Sequence, residues 1–375
     1  MMRVATTLFL ALLPAAVLAA KWNQGCISSP VGFGYRTTGG AGGRTVVPKD
    51  NNELKNYLNS KEKLIINLDK TYDFTASEGY GTERGCFYKK CKKVQISEES
   101  LTRSGTCNGR LQTQVKYAKA GTSELWVSSY KTILTTNGKG AIKGKGLRLK
   151  NAQQVIVRDI TISDINPQVI WGGDALVFDN VQNAWIHRVT TVRIGRQHLV
   201  SYQQTNVGIT VSSCFFDGTN QYSATCDNTQ YWVWLFWGTR DEITLINNRV
   251  YNTAARVPHA GGWAKAWNNI HLIGNFMDNN PHTGLEPHMG SNILAEGNLF
   301  SRYKRIINGR AHGGHLALVD NAQEANTCVK YFGQKCLVNK YEKSRAAKRF
   351  DESVLVAFKS LDRTAINGAR KAVCI

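Results

Sequence analysis

The sequence predicts an all-β protein built as a parallel β-solenoid, and an internal repeat, a column of asparagines and the composition support this fold class. Six nine-residue segments carry apolar residues near the start, a small or polar bend in the middle and an apolar residue at the end. Alternation followed by a bend is typical of strand, turn and strand. The segments start 30, 24, 34, 27 and 23 residues apart, so each predicts one coil, with loops of variable length between coils. They are residues 154–162, 184–192, 208–216, 242–250, 269–277 and 292–300.

The column of asparagines supports the stacking of these coils. Asn248, Asn275 and Asn298 occupy the same place in successive repeats. Stacked coils put equivalent residues above one another, so we expect these amide groups to hydrogen-bond in a buried column. Cys214 holds this position one coil earlier, and we predict a small buried thiol that has no disulfide partner.

The composition agrees with a turn-rich β architecture. The 375 residues include 34 glycines, 7 prolines, 9 tryptophans and 14 tyrosines. Hydrophobic residues make up 42% of the chain, which is ordinary for a globular protein and excludes a mainly disordered chain or a membrane channel.

The amino terminus predicts export. Residues 1–19 place Arg3 before a short apolar core and end near the small residues Val17 and Ala19, which is typical of a secretory signal peptide. No later apolar run reaches the ~20 residues that span a bilayer. We therefore expect a secreted, extracellular protein with no membrane anchor and a single domain over residues 20–375.

Helices are predicted only at the ends of the solenoid, whose terminal coils need covering. Residues 48–60 predict an amphipathic helix after Pro48, and this helix would form the N-terminal cap. Residues 351–371 could supply a C-terminal helix or tail.

Charge and cysteines narrow the function classes. The 47 Lys and Arg against 27 Asp and Glu give a formal charge of +20, and removal of Arg3 with the leader would leave one unit less. In an exported protein this charge favours an acidic polysaccharide over nucleic acid or lipid, although a merely basic soluble surface explains it equally well. The nine cysteines predict disulfides with at least one thiol left over, and no spacing resembles a zinc site.

Three loop segments hold the candidate chemistry, and the solenoid period puts Asp174, Arg196 and Arg256 on successive coils of one face. Arginine binds carboxyl oxygens with its planar fork, and tryptophan stacks on sugar rings. A groove of this kind suits a sugar polymer with acidic or ester groups. The alternative is that each arginine is a solvated surface residue and each tryptophan is core. The segments are residues 165–175, 192–198 and 254–258, with a Trp-rich stretch at 229–238.

On these residues the chain resembles the pectin lyases, a branch of the family that also contains the pectate lyases. The resemblance extends over most of the chain. It implies a right-handed parallel β-helix and 4,5 β-elimination in methyl-esterified polygalacturonan. The matching stretches are TASEG (75–79), GAIKGKGLRLKNAQQVIV (140–157), DINPQVIWGGDA (164–175), TTVRIGRQH (190–198), YSATCD (222–227), YW (231–232) and LAEGNLF (294–300).

The resemblance also implies roles for individual residues. Arg256 matches the proton acceptor or its electrostatic surrogate. Arg196 and Asp174 match the other polar positions, and Arg196 could stabilise the developing enolate. Arg193, with Arg196, could supply the positive field that lowers the pKa of Arg256. Four further residues match positions in the substrate groove: Trp171, Tyr231, Trp232 and His259, the last standing where the family has lysine.

No metal or other cofactor is implied, because a methyl ester already acidifies the C5 proton. The expected partner is pectin, and a monomer is expected. The implied disulfides join Cys86 to Cys107, Cys91 to Cys226 and Cys328 to Cys336, and we expect Cys26 and Cys374 to link the two ends.

Departures from the family pattern keep two rival functions open. The family's WIDH motif ends here in His187 and Arg188, and an aspartate is replaced near Trp237. One rival is a calcium-dependent pectate lyase, disfavoured because acidic residues are few around Asp174 and because Gly261 replaces a second arginine. The other is a catalytically silent pectin-binding or host-interaction protein.

Overall fold

A computed structural model describes residues 25–89, 91, 97–100, 106–309 and 313–374 of the chain. The predicted signal peptide lies outside these residues. Within the described part of the chain, no helix is long and apolar enough to cross a membrane.

The described chain is dominated by short strands, and helices are confined to the two ends and to two 3-10 turns. The 3-10 turns are η1 (Gly32–Arg36) and η2 (Lys119–Thr122). The helices are α1 (Asn51–Asn59), α2 (Ala322–Thr327), α3 (Val329–Phe332), α4 (Ser353–Lys359) and α5 (Arg363–Lys371). The strands of the first half are β1 (Arg44–Val46), β2 (Leu64–Asn67), β3 (Thr71–Asp73), β4 (Tyr80–Phe87), β5 (Ser97–Ser100), β6 (Gln112–Ala118), β7 (Leu125–Val127), β8 (Lys131–Leu134), β9 (Ala141–Lys143), β10 (Leu147–Arg158), β11 (Thr161–Ile165), β12 (Leu176–His187) and β13 (Thr190–Ile194). The strands of the second half are β14 (Leu199–Ser201), β15 (Thr205–Ser212), β16 (Phe215–Asp217), β17 (Trp234–Phe236), β18 (Arg240–Ile246), β19 (Arg249–Tyr251), β20 (His259–Ala260), β21 (Trp267–Ile273), β22 (Phe276–Asn280), β23 (Glu286–Pro287), β24 (Ser291–Glu296), β25 (Leu299–Tyr303), β26 (His315–Leu318) and β27 (Lys340–Glu342).

These strands form the coils of a parallel solenoid. One sheet runs β1-β2-β8-β10-β12-β15-β18-β21-β24-β26, and a second runs β3-β9-β11-β13-β16-β19-β22-β25-β27. A short row, β14-β17-β20-β23, joins the first sheet at β12. All these pairings are parallel. Strands β4, β5 and β6 pair antiparallel in a separate small sheet. Each predicted repeat is therefore a strand of the first sheet, a tight turn and a strand of the second.

The core is a set of side-chain stacks inside the coils. Ile209, Ile243, Ile270 and Ile293 are in register on neighbouring strands, and all four are fully buried. Burying an aliphatic side chain of this size stabilises the fold by roughly 1.5–3 kcal/mol, so the repeated apolar positions explain why the coils stack in this register.

The turn after each first-sheet strand contains the predicted asparagine column. The Asn248 side-chain amide donates to Asn275 Oδ1 at 3.0 Å, and that of Asn275 donates to Asn298 Oδ1 at 3.0 Å. Asn298 continues the column to Asn339 at 3.0 Å, a member that the repeat pattern did not reveal. Cys214 lies at the head of the column, buried and unpaired by any disulfide, and its N–H donates to Asn248 Oδ1.

The two ends are capped as the sequence predicts. Helix α1 begins after Asp50, whose side chain accepts from the N–H groups of Asn52 and Glu53. Its buried face is Leu54 and Leu58, which join the main core. At the other end, α4 and α5 cover the last coils.

Four disulfides are present, and they are the pairs expected above. Cys86 joins Cys107, Cys91 joins Cys226, Cys328 joins Cys336, and Cys26 joins Cys374.

Candidate active site

The candidate residues lie in equivalent loops, each between a second-sheet strand and the strand that follows it. Asp174 lies between β11 and β12, Arg196 between β13 and β14, and Arg256 between β19 and β20. The prediction that these residues occupy successive coils is wrong for Arg256. The coil of β16 intervenes between Arg196 and Arg256, because the long loop 218–233 belongs to a complete coil of its own.

A groove of about 760 Å³ runs along these loops. Asp174, Arg196 and Trp171 line it together with exposed Trp237. Arg256 is not among the lining residues. Of the two predicted site arginines, Arg196 is therefore presented to a ligand, whereas Arg256 lies to one side of the opening.

Asp174 and Arg196 form the polar centre of the groove. Asp174 is 7% exposed, and its carboxylate accepts from the Gln197 N–H at 2.8 Å. Burial raises the pKa of Asp174 to about 6, against the opposing charge of Arg196 and this hydrogen bond. The Arg196 N–H donates to the Gly173 carbonyl, and the Arg196 carbonyl accepts from the side-chain amide of Gln230.

Gly173 explains why this loop has its close-packed shape. Its φ is +132°, and a Cβ there would lie 1.9 Å from the carbonyl oxygen of Gly121. Only glycine fits this position without displacing backbone, and it immediately precedes Asp174.

Arg256 lies in a mostly buried setting beside aromatic rings. Its guanidinium carbon is 5.8 Å from the centre of the Tyr231 ring, and its backbone N–H donates to Glu286 Oε1 at 3.3 Å. Burial lowers the pKa of Arg256, and the positive charge of Arg196 adds to this effect, whereas Glu286 and Tyr231 oppose it. Among the described residues, Arg256 Nε has no hydrogen-bond partner.

Arg193 forms an ion pair on the second sheet. Its guanidinium forms two hydrogen bonds with the Asp164 carboxylate, and its side chain is half exposed. The positive charge of Arg196 lowers the pKa of Arg256, and the supporting role of Arg193 stays a prediction.

The aromatic residues divide into groove and core. Trp171 lines the groove and packs edge-on against Tyr117 at 4.7 Å between ring centres. Trp232 is only 6% exposed and packs against Tyr88 and Tyr231. Trp232 does not line the groove, and its contact with substrate stays a prediction. Tyr231 lies beside the Arg256 guanidinium.

The groove also holds charged residues that sequence reasoning missed. Arg148 bonds Asp179 at 2.7 Å, lies 4.5 Å from the centre of the Tyr202 ring and approaches Glu124 at 3.8 Å. Burial raises the pKa of Glu124, with Arg148 opposing. Glu124 lies outside the motif stretches, and Arg148 lies within 140–157 but was not recognised as a site residue. Coil stacking brings both residues to the groove that contains Asp174.

His259 follows Arg256 and belongs to a second polar cluster. Its Nδ1 is 3.2 Å from Glu286 Oε2, and its ring stacks on that of His288 with centres 3.9 Å apart. Although burial acts to raise it, the pKa of Glu286 is lowered by the hydrogen bond from His259 and by the charge of Arg256. Sequence reasoning missed this cluster, because His259 lies 27 residues before Glu286 and no local pattern joins the two.

Comparison with known proteins places the chain in a family. No protein-family model matches it. Pectin lyase B of Emericella nidulans is 36% identical over 354 residues, which are 93% of this chain and 91% of that protein. The chain belongs to the pectin lyase family. A probable pectin lyase A of Aspergillus fumigatus is 35% identical over 94% of this chain and 92% of that protein. The predicted family and the predicted enzyme class, a polysaccharide lyase, are confirmed.

Solved structures confirm the fold. A pectate lyase of Bacillus subtilis matches with a TM-score of 0.55 at 15% identity, over 92% of this chain and 96% of that chain. A Bacillus pectate lyase in complex with trigalacturonate matches with a TM-score of 0.53 at 15% identity, over 85% of this chain and 89% of that chain. At this identity the match shows the architecture alone, a parallel β-helix.

The departures from the pectin lyase pattern fall in two different places. His187 ends β12, whereas Asp174 precedes its start, so His187 and Arg188 lie at the opposite end of that strand. There His187 is buried, stacks on Trp185 and bonds Ser212. Trp237 is 40% exposed and lines the groove, so it is the departure that a substrate can meet.

Proposed function

We propose that this pectin lyase family member is a secreted, single-domain monomer that cleaves methyl-esterified polygalacturonan by β-elimination. The observation that carries this proposal is the pairing of a charged groove centre, Asp174 and Arg196, with a mostly buried arginine, Arg256, whose pKa is lowered by burial. The four disulfides support secretion, since such bonds persist in oxidising compartments.

In the proposed step, neutral Arg256 takes the C5 proton through a guanidine nitrogen. The C5–H electron pair becomes an enolate and then the C4–C5 double bond, while the C4–O bond breaks and the glycosidic oxygen takes a proton from water. Burial is the main reason that a neutral guanidine becomes accessible at all. Arg196 is placed to bind the uronate carbonyl and stabilise the enolate oxygen.

The ester explains why the proposed chemistry needs no metal. A methyl ester withdraws electrons from C5 more strongly than a carboxylate does, so the proton is acidic without a bound cation. For calcium, several oxygen ligands must converge. Across the described residues, the carboxylates of Asp174, Asp179 and Glu124 form no group of three converging ligand atoms, and Arg148 already pairs with Asp179. This arrangement disfavours the pectate lyase alternative.

A silent pectin-binding protein remains the second candidate, and one observation favours it. Arg256 does not line the groove and lies beside the Tyr231 ring. Turnover therefore requires the reacting ring to reach past Tyr231, whereas binding alone requires only the groove.

The test is the near-ultraviolet absorbance of unsaturated uronides, with untagged secreted protein and highly methylated pectin in excess chelator. We expect a steady rise, and a slower one on de-esterified polygalacturonate even with calcium. Activity that appears only with calcium would favour the pectate lyase alternative. No absorbance change on either polymer, together with pectin binding by calorimetry, would favour the silent binder.

A further inference from the structure

The strongest unassigned feature is the cluster of His259, Glu286 and His288 beside the groove. Their ligand atoms all lie within 4.8 Å of one another, and no other group of three such side chains is found in the described residues. Glu286 is buried, and the two histidines are half buried. Two imidazoles and one carboxylate are a ligand set that binds zinc-like cations in proteins.

The cluster is built by coil stacking. His259 in β20 pairs directly with Glu286 in β23. His288 lies two residues beyond Glu286, so both side chains point from the same side of the strand. Both backbone groups of His288 are bonded, because its N–H donates to Ala260 O and its carbonyl accepts from the Ser291 N–H. The backbone positions of all three ligands are therefore set by the fold.

We propose that His259, Glu286 and His288 form a binding site for one divalent transition-metal ion, such as Zn²⁺, Co²⁺ or Cu²⁺. Imidazole nitrogens favour these ions over calcium, which prefers oxygen ligands. The site shares none of the residues that line the groove, although Glu286 also contacts Arg256.

The geometry requires one local adjustment. Ligands bonded at about 2.0–2.1 Å in a tetrahedral site are roughly 3.3 Å apart, which matches the 3.2 Å between His259 Nδ1 and Glu286 Oε2. The two rings are stacked 18° from parallel, so their lone pairs do not yet converge. Convergence on one ion would require a change in the side-chain torsions of His288, whose ligand atom already lies within 4.8 Å of those of His259 and Glu286.

The outer edge of the cluster lies beside an exposed glycine. A Cβ at Gly262 would lie 3.5 Å from His259 Nε2 and 3.8 Å from His288 Cβ. Gly262 is exposed, so water reaches this edge of the cluster. The backbone N–H of Arg256 donates to Glu286 Oε1, and Glu286 Oε2 lies toward His259.

The experiment is a Co²⁺ titration of untagged full-length secreted protein, read by visible absorption and by the metal retained after dialysis. We expect one equivalent at micromolar concentration, a rise in Tm with Co²⁺, and no displacement by millimolar Ca²⁺. His288→Gln should weaken binding at least tenfold and abolish the Tm rise. The matched control is His282→Gln, because His282 also pairs with a carboxylate, Asp227, but has no second imidazole.

Two results would overturn the site. One is wild-type protein that retains no Co²⁺ at millimolar concentration, and the other is His288→Gln protein that binds as tightly as wild type. Electron paramagnetic resonance of the Cu²⁺ complex separates this site from a surface histidine, since hyperfine splitting from two nitrogens is expected and splitting from one would contradict the proposal. None of these measurements depends on lyase activity.

Discussion

The asparagine column and the groove are built from the same coils, but buried polar side chains are hydrogen-bonded in the column, whereas two of those in the groove lack partners in the described part of the chain. In the column, Asn275 Oδ1 accepts from both the N–H and the side-chain amide of Asn248. In the groove, the fully buried Gln197 amide and the Trp171 N–H have no partner among the described residues. In the column, the asparagine of the next coil supplies the partner, whereas at Gln197 and Trp171 no neighbouring coil that the structure describes supplies one.

The largest expected effect is a loss of activity from a substitution beside the groove. Arg256→Ala should lower the elimination rate by roughly 10²–10⁴-fold, the range for loss of a positioned proton-transfer group, while Tm changes by a few degrees at most. Initial rates of uronide absorbance and a thermal melt measure both.

Arg188→Ala is the matched control for the Arg256 variant. Arg188 pairs with Asp159 at the far end of β12, so its removal should leave the rate within about twofold. Undiminished turnover in Arg256→Ala protein would disprove the proposed mechanism.

The second prediction tests the column by stability. Asn275→Ala removes the acceptor for two Asn248 donors, and each unsatisfied buried group costs about 1–3 kcal/mol. We expect the free energy of unfolding in urea to fall by about 3 kcal/mol. In the groove, Gln197→Met should change it by less than about 1 kcal/mol, because no hydrogen bond seen here is lost. Equal losses at both positions would contradict the contrast.

The third prediction uses two buried carboxylates whose pKa values move in opposite directions. Glu296 is held by His271 and Arg370, and although burial opposes it, the charge of Arg370 and the bond from His271 lower its pKa to about 2. Its stabilisation is present above its unfolded pKa of about 4.3 and is lost as pH falls toward 2. Asp174, whose pKa is raised to about 6, destabilises the fold as pH rises from about 4 to 6.

Unfolding curves across pH check both signs. Glu296→Gln should cost stability at pH 7, and this cost should shrink toward pH 2. Asp174→Asn should gain stability at pH 7 relative to pH 3.5, by about 2–3 kcal/mol at most, the equivalent of two pKa units. A Glu296→Gln cost that is the same at pH 2 and pH 7 would exclude the proposed ion pairing as its source.

The smallest expected effect extends the column by one member. Cys214 receives only a weak bond from the Val189 N–H, at 3.4 Å to sulfur. In Cys214→Asn protein the new amide could accept from Val189 and donate to Asn248, which should raise the unfolding free energy by about 0.5–1 kcal/mol. Cys214→Ser is the control for thiol removal, and a Cys214→Asn protein less stable than Cys214→Ser would show that the site is too tight.

The two regions also differ in how well the sequence predicts them. Asn248, Asn275 and Asn298 are visible as a column because each repeats the same residue at the same position. The fourth member, Asn339, follows a 41-residue connection and has no repeat signal of its own. In the groove, motifs identify Asp174, Arg196 and Arg256, but the burial of Trp232 and the ion pair of Arg193 depend on neighbours far along the chain.

The sequence by itself determined the coil, its period, the capping helix and the residue types that a lyase of this family needs, because each depends on local alternation or on a short motif. Only the tertiary structure decided which coil faces which. It placed one coil between Arg196 and Arg256, brought Glu124 and Arg148 to Asp174, and joined His259 to Glu286 and His288. These contacts follow from loop lengths and from the stacking register, and neither can be predicted from a single repeat.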